Sequence, residues 1–262
     1  MTLTMMTTTM TTTMTTMMTF DNTRLIWVLL LLMLLVSPVA EAKIYLVSVG
    51  VSDYPGRAND LRLPHNDAAT MYWVYKENKN AETVLLMNSD ATVVRVKSAM
   101  SQLYNKATSN DIVVLHFSGH GYRGGFACYD GNLEYGYIRN AMARCRSKNK
   151  IIFADACHSG AMRGNGTGFD SNYGGLNGAN VMLFLSCRNN EYSIEKSNMT
   201  NGIFTYALQH GLRGGADYDK NRVVTARELF KYVSEKVKKM SGNKQHPVMW
   251  GKFSDSMPVM KW

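Results

Sequence analysis

Two residues of this 262-residue chain stand in settings that could pair a nucleophile with its base: His120 in Leu115-His-Phe-Ser-Gly-His-Gly121, and Cys157 in Ile151-Ile-Phe-Ala-Asp-Ala-Cys-His-Ser-Gly160. Each setting is an apolar run that stops abruptly at small and polar residues. The run reads as a buried strand and the stop as the loop leaving its carboxyl end. In open α/β sheets chemistry collects just outside those ends, so two strands would deliver an imidazole and a thiol to one sheet edge. A free thiol is mostly protonated at neutral pH. A neighbouring imidazole promotes the thiolate and carries its proton to a leaving amine. The amides of Gly121 and Cys157 are candidate oxyanion donors, each typically contributing about 3–4 kcal/mol in acyl transfer. Ser159 and Gly160 would start a turn or short helix whose dipole favours a thiolate. A zinc site built from His116, His120, Cys157 and His158 is the competing chemistry. The spacing disfavours it, because the chain has no Cys-x-x-Cys and no helical His pair, and His116 and His120 straddle a strand end.

Positioning such a pair requires alternating strands and helices, and the pattern from Lys43 onward supplies them. Strands are expected at 43–51, 82–87, 111–117, 150–155 and 181–186. Helices are expected at 66–77, 91–105, 133–145, 202–211 and 225–239, and a short hairpin or loop at 124–130. Strands separated by helices of this length imply right-handed crossovers and a mainly parallel sheet. Residues 163–179, rich in Gly, Asn and Ser, read as a mobile surface loop dividing a larger front part (43–162) from a smaller back part (180–262) of one domain. The tail from His246 is apolar but irregular and is expected to close the sheet edge.

With 45% hydrophobic residues, the chain can build a real core. Its net charge is +9, and residues 1–42 hold only one basic and two acidic residues, so the excess beyond them is +10. No basic stripe interleaved with aromatics accompanies that charge, so nucleic acid is not an expected partner. Lys148 and Lys150 beside Arg144 and Arg146 form the one dense basic patch. Residues 1–19 are almost entirely Met and Thr and stand outside any core. Arg24, the apolar stretch 25–36 and Ser37-Pro-Val-Ala-Glu-Ala42 read as a secretory signal peptide cut after Ala42. The stretch is short of the roughly 20 apolar residues of a full span, so no stable membrane insertion is expected after cleavage. A secreted or periplasmic location follows. Cys128 and Cys145 could pair there, although Cys157 and a buried Cys187 leave no disulfide framework.

Phe117-Ser-Gly-His-Gly121 followed by Asp155-Ala-Cys-His-Ser-Gly160 resembles the caspase-like cysteine peptidases, the metacaspase and paracaspase branch above all. The resemblance extends over roughly 43–239, through Asn66-Asp-Ala68 and Gly202-Ile-Phe-Thr-Tyr-Ala-Leu208. It implies a three-layer α/β/α sandwich with a mainly parallel sheet, His120 as base and Cys157 as nucleophile. It also implies that Asp67, Ser118 and Asp155 line the pocket for the residue before the cleaved bond. Two carboxylates in one pocket suit a guanidinium or ammonium, so cleavage after Arg or Lys is expected. The simpler alternative is that Asp67 caps its helix and Asp155 caps its loop.

Departures from the family pattern concern calcium. Between the two boxes only Asp130 and Glu134 are acidic, so the family's activating calcium site is missing there and no cofactor is required. A weaker calcium candidate is Asp217-Tyr-Asp-Lys-Asn-Arg-Val-Val-Thr-Ala-Arg-Glu228, with Asp217, Asp219, Asn221 and Glu228 at positions 1, 3, 5 and 12 of an EF-hand loop. Arg222 stands where that loop needs Gly, which favours a polar turn leading into a helix. Arg163 in the dividing loop would satisfy a basic preference, so self-cleavage there is a hypothesis. The expected function is a cysteine endopeptidase acting on peptide or protein substrates. The alternatives are a catalytically silent peptide-binding module of the same fold, or a related transpeptidase.

Overall fold

The computed structural model describes residues 41–122, 124–156, 181–188, 193, 194 and 196–262. The expected loop 163–179, its Arg163, and Cys157, His158, Ser159 and Gly160 lie outside the described residues, as do residues 1–40. Residues 42–262 form one compact unit. In chain order its elements are β1 (Ile44–Gly50), α1 (Pro64–Lys76), β2 (Ala81–Met87), α2 (Val93–Tyr104), β3 (Ile112–Gly119), β4 (Gly121–Tyr122), β5 (Gly125–Cys128) and β6 (Gly131–Glu134). They continue with α3 (Tyr135–Arg144), β7 (Asn149–Ala156), β8 (Val181–Leu185), α4 (Ile203–His210), β9 (Val223–Thr225), α5 (Ala226–Ser241), β10 (Val248–Lys252) and β11 (Pro258–Lys261).

The central sheet runs β10-β8-β7-β3-β1-β2. All its pairings are parallel except β10 with β8. Strands buried on both faces read as continuous apolar runs, and β1, β3 and β8 are buried along their whole length. Alternation decides which side chain meets which helical layer. Tyr45, Val47, Leu115, Ile152 and Leu183 face α2 and α3 in one core. Ile44, Leu46, Val114, Phe153 and Phe184 face α1, α4 and α5 in the other. The result is the three-layer α/β/α sandwich.

Local chemistry sets the helix starts. Pro64 opens α1, where its missing N–H and fixed φ cost nothing. Thr225 and Glu228 form a reciprocal capping box at the head of α5, and Thr92 caps α2 by accepting from the Arg95 amide.

Three expectations are corrected. Leu133 and Glu134 belong to β6, not to a helix, because the segment 121–134 folds into a three-stranded antiparallel sheet whose Phe126 and Leu133 plug the α2 and α3 core. The tail is regular. β10 closes the sheet edge beside β8 and β11 pairs with β9, and Val259 and Met260 join the core. Lys150 is no part of a surface patch. It lies buried in β7, and burial lowers its pKa.

Gly50, the last residue of β1, sets how closely α1 approaches the sheet. A Cβ there would lie 2.1 Å from the Pro64 carbonyl oxygen and 2.7 Å from the Ala68 Cβ. Gly50→Ala is therefore expected to destabilise the fold by about 1–3 kcal/mol, as overpacking does. Urea unfolding checks it. An unchanged midpoint would show that α1 can move away freely.

Candidate active site

On the face that meets α1 and α4, every central strand changes character at its carboxyl end. β1 reads Ile44, Leu46, Ser48 and β3 reads Ile112, Val114, His116, Ser118. β7 reads Ile151, Phe153, Asp155, and β8 runs through Met182 and Phe184 to Ser186. Parallel register aligns these polar ends, with Ser48 beside His116 and Ser118 beside Asp155. The Ser186 amide donates to the Ala154 carbonyl, which continues the row.

Asp67 descends onto this row from the first turn of α1. Its Oδ2 accepts from Ser118 Oγ at 2.9 Å, and its Oδ1 accepts from Asn201 Nδ2 and the Gly202 amide, both at 3.0 Å. Leu63 occupies the N-cap position of α1 with no side-chain cap, so Asp67 is not a helix cap. Asp155 Oδ2 accepts from Thr205 Oγ1 at 3.2 Å, and the Ser193 and Ser186 hydroxyls, hydrogen-bonded to each other, also stabilise this carboxyl. Gly202 separates the two acids. A Cβ on it would sit 2.8 Å from Asp155 Oδ2 and 3.4 Å from Asp67 Oδ2. Thus Asp67, Ser118 and Asp155 do converge. With Leu61, Ile194 and Gly202 they line a cavity of about 90 Å³ that also touches Gly119 and Ala156, the residues preceding His120 and Cys157.

Burial raises the pKa of both acids, and the neighbouring Asp155 charge raises that of Asp67 further. The donors oppose this rise: Asn201, Ser118 and Gly202 for Asp67, and Ser193, Thr205 and Ser186 for Asp155. The amino end of α4 adds favourable dipole for negative charge. Both carboxyls are therefore held above the usual carboxylate range.

His120 is half-buried at the end of β3. Its Nε2 lies 2.8 Å from the Asn59 carbonyl oxygen. A carbonyl only accepts, so Nε2 carries the proton and Nδ1 is the basic nitrogen of the neutral ring. Gly121 follows in β4, paired with Phe126. His116 is different in kind. Ser48 Oγ donates to the Ala68 carbonyl and accepts from His116 Nδ1 at 2.9 Å. Burial holds this imidazole's pKa down to about 3. His116 is thus sealed in the core with its Nδ1 proton on Ser48, apart from the half-buried His120.

Elsewhere, Asp217, Asp219 and Glu228 bring carboxylate oxygens within 4.8 Å of one another. Asn221 donates to both aspartates, and the amides of Tyr218, Arg222 and Thr225 also bond this cluster as the chain turns into α5. Lys220 and Arg222 take φ of 58° and 67° in that turn. A wider groove of about 490 Å³ between α1 and α4, lined by Thr70, Trp73, Asn201 and Arg213, has neither Cys nor His among its described lining residues. Cys128 and Cys145 are both buried and unbridged.

Several site residues escape sequence reasoning. Asn201 carries no signal there, and Gly202 and Thr205 stand only within the Gly202–Leu208 segment that opens the expected helix 202–211. Ser186 could have been found by continuing the strand alternation. The Asn59 contact uses a main-chain carbonyl and leaves no side-chain signature.

Among known proteins, the family model of the caspase domain, peptidase family C14, matches residues 45–257. A crystal structure of a Geobacter sulfurreducens protein, a structural-genomics target, superposes with a TM-score of 0.62 at 16% identity, covering 83% of this chain and 97% of that one. At that identity the likeness is one of fold. No curated protein matches the chain.

The buried acids carry a stability prediction. With pKa values raised in the folded state, the native protein holds protons that the unfolded chain releases. The pair therefore costs stability at neutral and higher pH, and the penalty fades as pH falls into the carboxylate range. Asp155→Asn removes a charge, while the Thr205, Ser186 and Ser193 hydroxyls can turn to accept from an amide. Its melting temperature is expected to exceed the wild type's near about pH 8 and the gain to shrink near about pH 4. Calorimetry showing a lower value at the higher pH would contradict this account.

Proposed function

This chain belongs to the caspase-domain family of peptidases, and from that premise we propose that it is a cysteine-type endopeptidase cleaving after Arg or Lys. One observation carries the specificity: Asp67 and Asp155 lie buried on either side of Gly202, at the base of a cavity that borders the residues before His120 and Cys157. A buried carboxylate pair is costly alone and favourable around a cation, and a guanidinium can bond both acids at once.

In the proposed reaction the substrate's basic side chain enters that cavity and presents the following carbonyl to Cys157. The Cys157 thiol passes its proton to His120 Nδ1, and sulfur attacks the carbonyl carbon. The Gly121 and Cys157 amides hold the oxyanion. Collapse breaks the C–N bond as His120 protonates the departing amine, leaving a thioester. Water, deprotonated by His120, attacks the thioester and releases the acid and the free thiol. The Asn59 carbonyl supports the imidazolium that forms in both halves.

A fluorogenic panel varying the residue before the cleaved bond tests the proposal. Arg and Lys substrates are expected to turn over, Asp substrates not, and Cys157→Ala to be inactive. Asp155→Ala should lower kcat/KM on Arg substrates about 100-fold or more, since it leaves a buried charge pair half-made. Binding a cation requires the pocket to release its proton, so KM should rise as pH falls through the raised carboxyl pKa. Preference for Asp would overturn the pocket assignment, and no labelling of Cys157 by a thiol-reactive peptide probe with Arg at its reactive end would favour the peptide-binding module.

We further propose export with cleavage after Ala42, and self-cleavage after Arg163. Intact-mass measurement of secreted protein is expected to give a chain beginning at Lys43 and, for wild type alone, a cut after Arg163. An identical fragment pattern in Cys157→Ala would rule out self-cleavage.

A further inference from the structure

The hairpin that follows β3 contains an interrupted rung. Gly121 pairs with Phe126 and Tyr122 with Gly125, so the next pair outward is His120 with Ala127. A hydrogen-bonded antiparallel pair exchanges two N–H···O=C bonds. One is present, from the Ala127 amide to the His120 carbonyl at 2.9 Å. In place of the other stands the Tyr54 hydroxyl. It accepts from the His120 amide at 2.9 Å and donates to the Ala127 carbonyl at 3.1 Å.

The surroundings make room for this insertion. Tyr54 is 8% exposed, and its ring centroid lies 4.9 Å from that of His120. Gly119 takes φ of 152°, and a Cβ there would fall 2.7 Å from the Tyr54 hydroxyl oxygen. The same loop also supplies the carbonyl that meets His120 Nε2. Residues 52–61 are closed by the Leu61 amide on the Ser52 carbonyl at 2.8 Å, and the Tyr54 amide is tied to Asp60 Oδ1 at 3.1 Å. Tyr54 therefore holds the His120 main chain while Asn59 holds its side chain.

We propose that Tyr54 is a positioning residue for His120: its hydroxyl, inserted into the last rung of the hairpin, keeps the His120 backbone off the strand partner so that the imidazole reaches Asn59. The kinetic consequence rests on the peptidase reading, whereas the geometric one does not. Tyr54→Phe in the full-length chain is the test. Without the hydroxyl, the His120 amide can bond the Ala127 carbonyl directly, so no donor is orphaned and Tm should hardly move. The imidazole, however, is drawn away from Asn59. Expected are an unchanged KM and a kcat on Arg peptides reduced by about 10- to 100-fold, the scale of an ångström-level misplacement. A crystal structure of the variant should show the Nε2 contact with Asn59 broken. An unchanged kcat, an intact Asn59 contact, or a loss of kcat accompanied by a fallen Tm and raised KM would overturn the proposal. Wild-type protein silent on every peptide would count against the peptidase reading alone, and the Asn59 contact in the variant would still decide the role of Tyr54.

Discussion

Two carboxylates buried beside each other, away from bulk water, are unfavourable unless donors surround them. Much of the molecule near the candidate site consists of those donors. Asp67 is met by a strand-end serine, a buried asparagine and the amide of Gly202, the N-cap of α4. Asp155 is met from α4 and from the region after β8. Bringing them together requires two places without side chains. Gly50 lets the first turn of α1 reach the sheet, and Gly202 lets the head of α4 pass between the acids. Charge burial, helix placement and backbone approach are thus one problem with one solution. The proposed recognition of a basic side chain draws on this arrangement, because a cation would offset the charge that burial makes costly.

The sheet solves the companion problem of keeping a dry core next to a polar pocket. Along each central strand the residues facing α1 and α4 are apolar until the last one or two positions and polar thereafter. Parallel register puts those transitions side by side, so the boundary between core and site is a line across the sheet. His116 sits on that boundary. Sealed and neutral, it spends its Nδ1 proton on Ser48 and belongs to the core, whereas His120, four residues on and past the strand's end, is half-exposed. The same residue type has opposite roles because one lies before the end of a strand and the other beyond it.

Element type and order were largely legible, because hydrophobic periodicity and cap residues are local. Pro64 at the start of α1, Thr225 with Glu228 at α5 and the apolar runs of β1, β3, β7 and β8 each announce themselves within a few residues. The errors fell where local and tertiary preferences compete. Leu133 looks helical in its own window, yet it is claimed by β5 and by the core beneath it. The tail looked irregular because β10 and β11 acquire their pairing only from β8 and β9.

By itself the sequence determined the alternating strands and helices and the two boxes around His120 and Cys157, since short motifs and strand periodicity carry that information, and the family resemblance of those boxes implied the sandwich and three residues of the acidic pocket. Tertiary structure alone decided what surrounds them. Asn201 and Gly202 reach Asp67 across 134 and 135 residues of chain. The Asn59 carbonyl meets His120 across 61, and the Tyr54 hydroxyl meets the His120 amide across 66. Such contacts have no period and no spacing. They arise when crossovers set strands in order and helices settle on the sheet, and a main-chain carbonyl or a single hydroxyl then acquires a role that its place in the chain does not reveal.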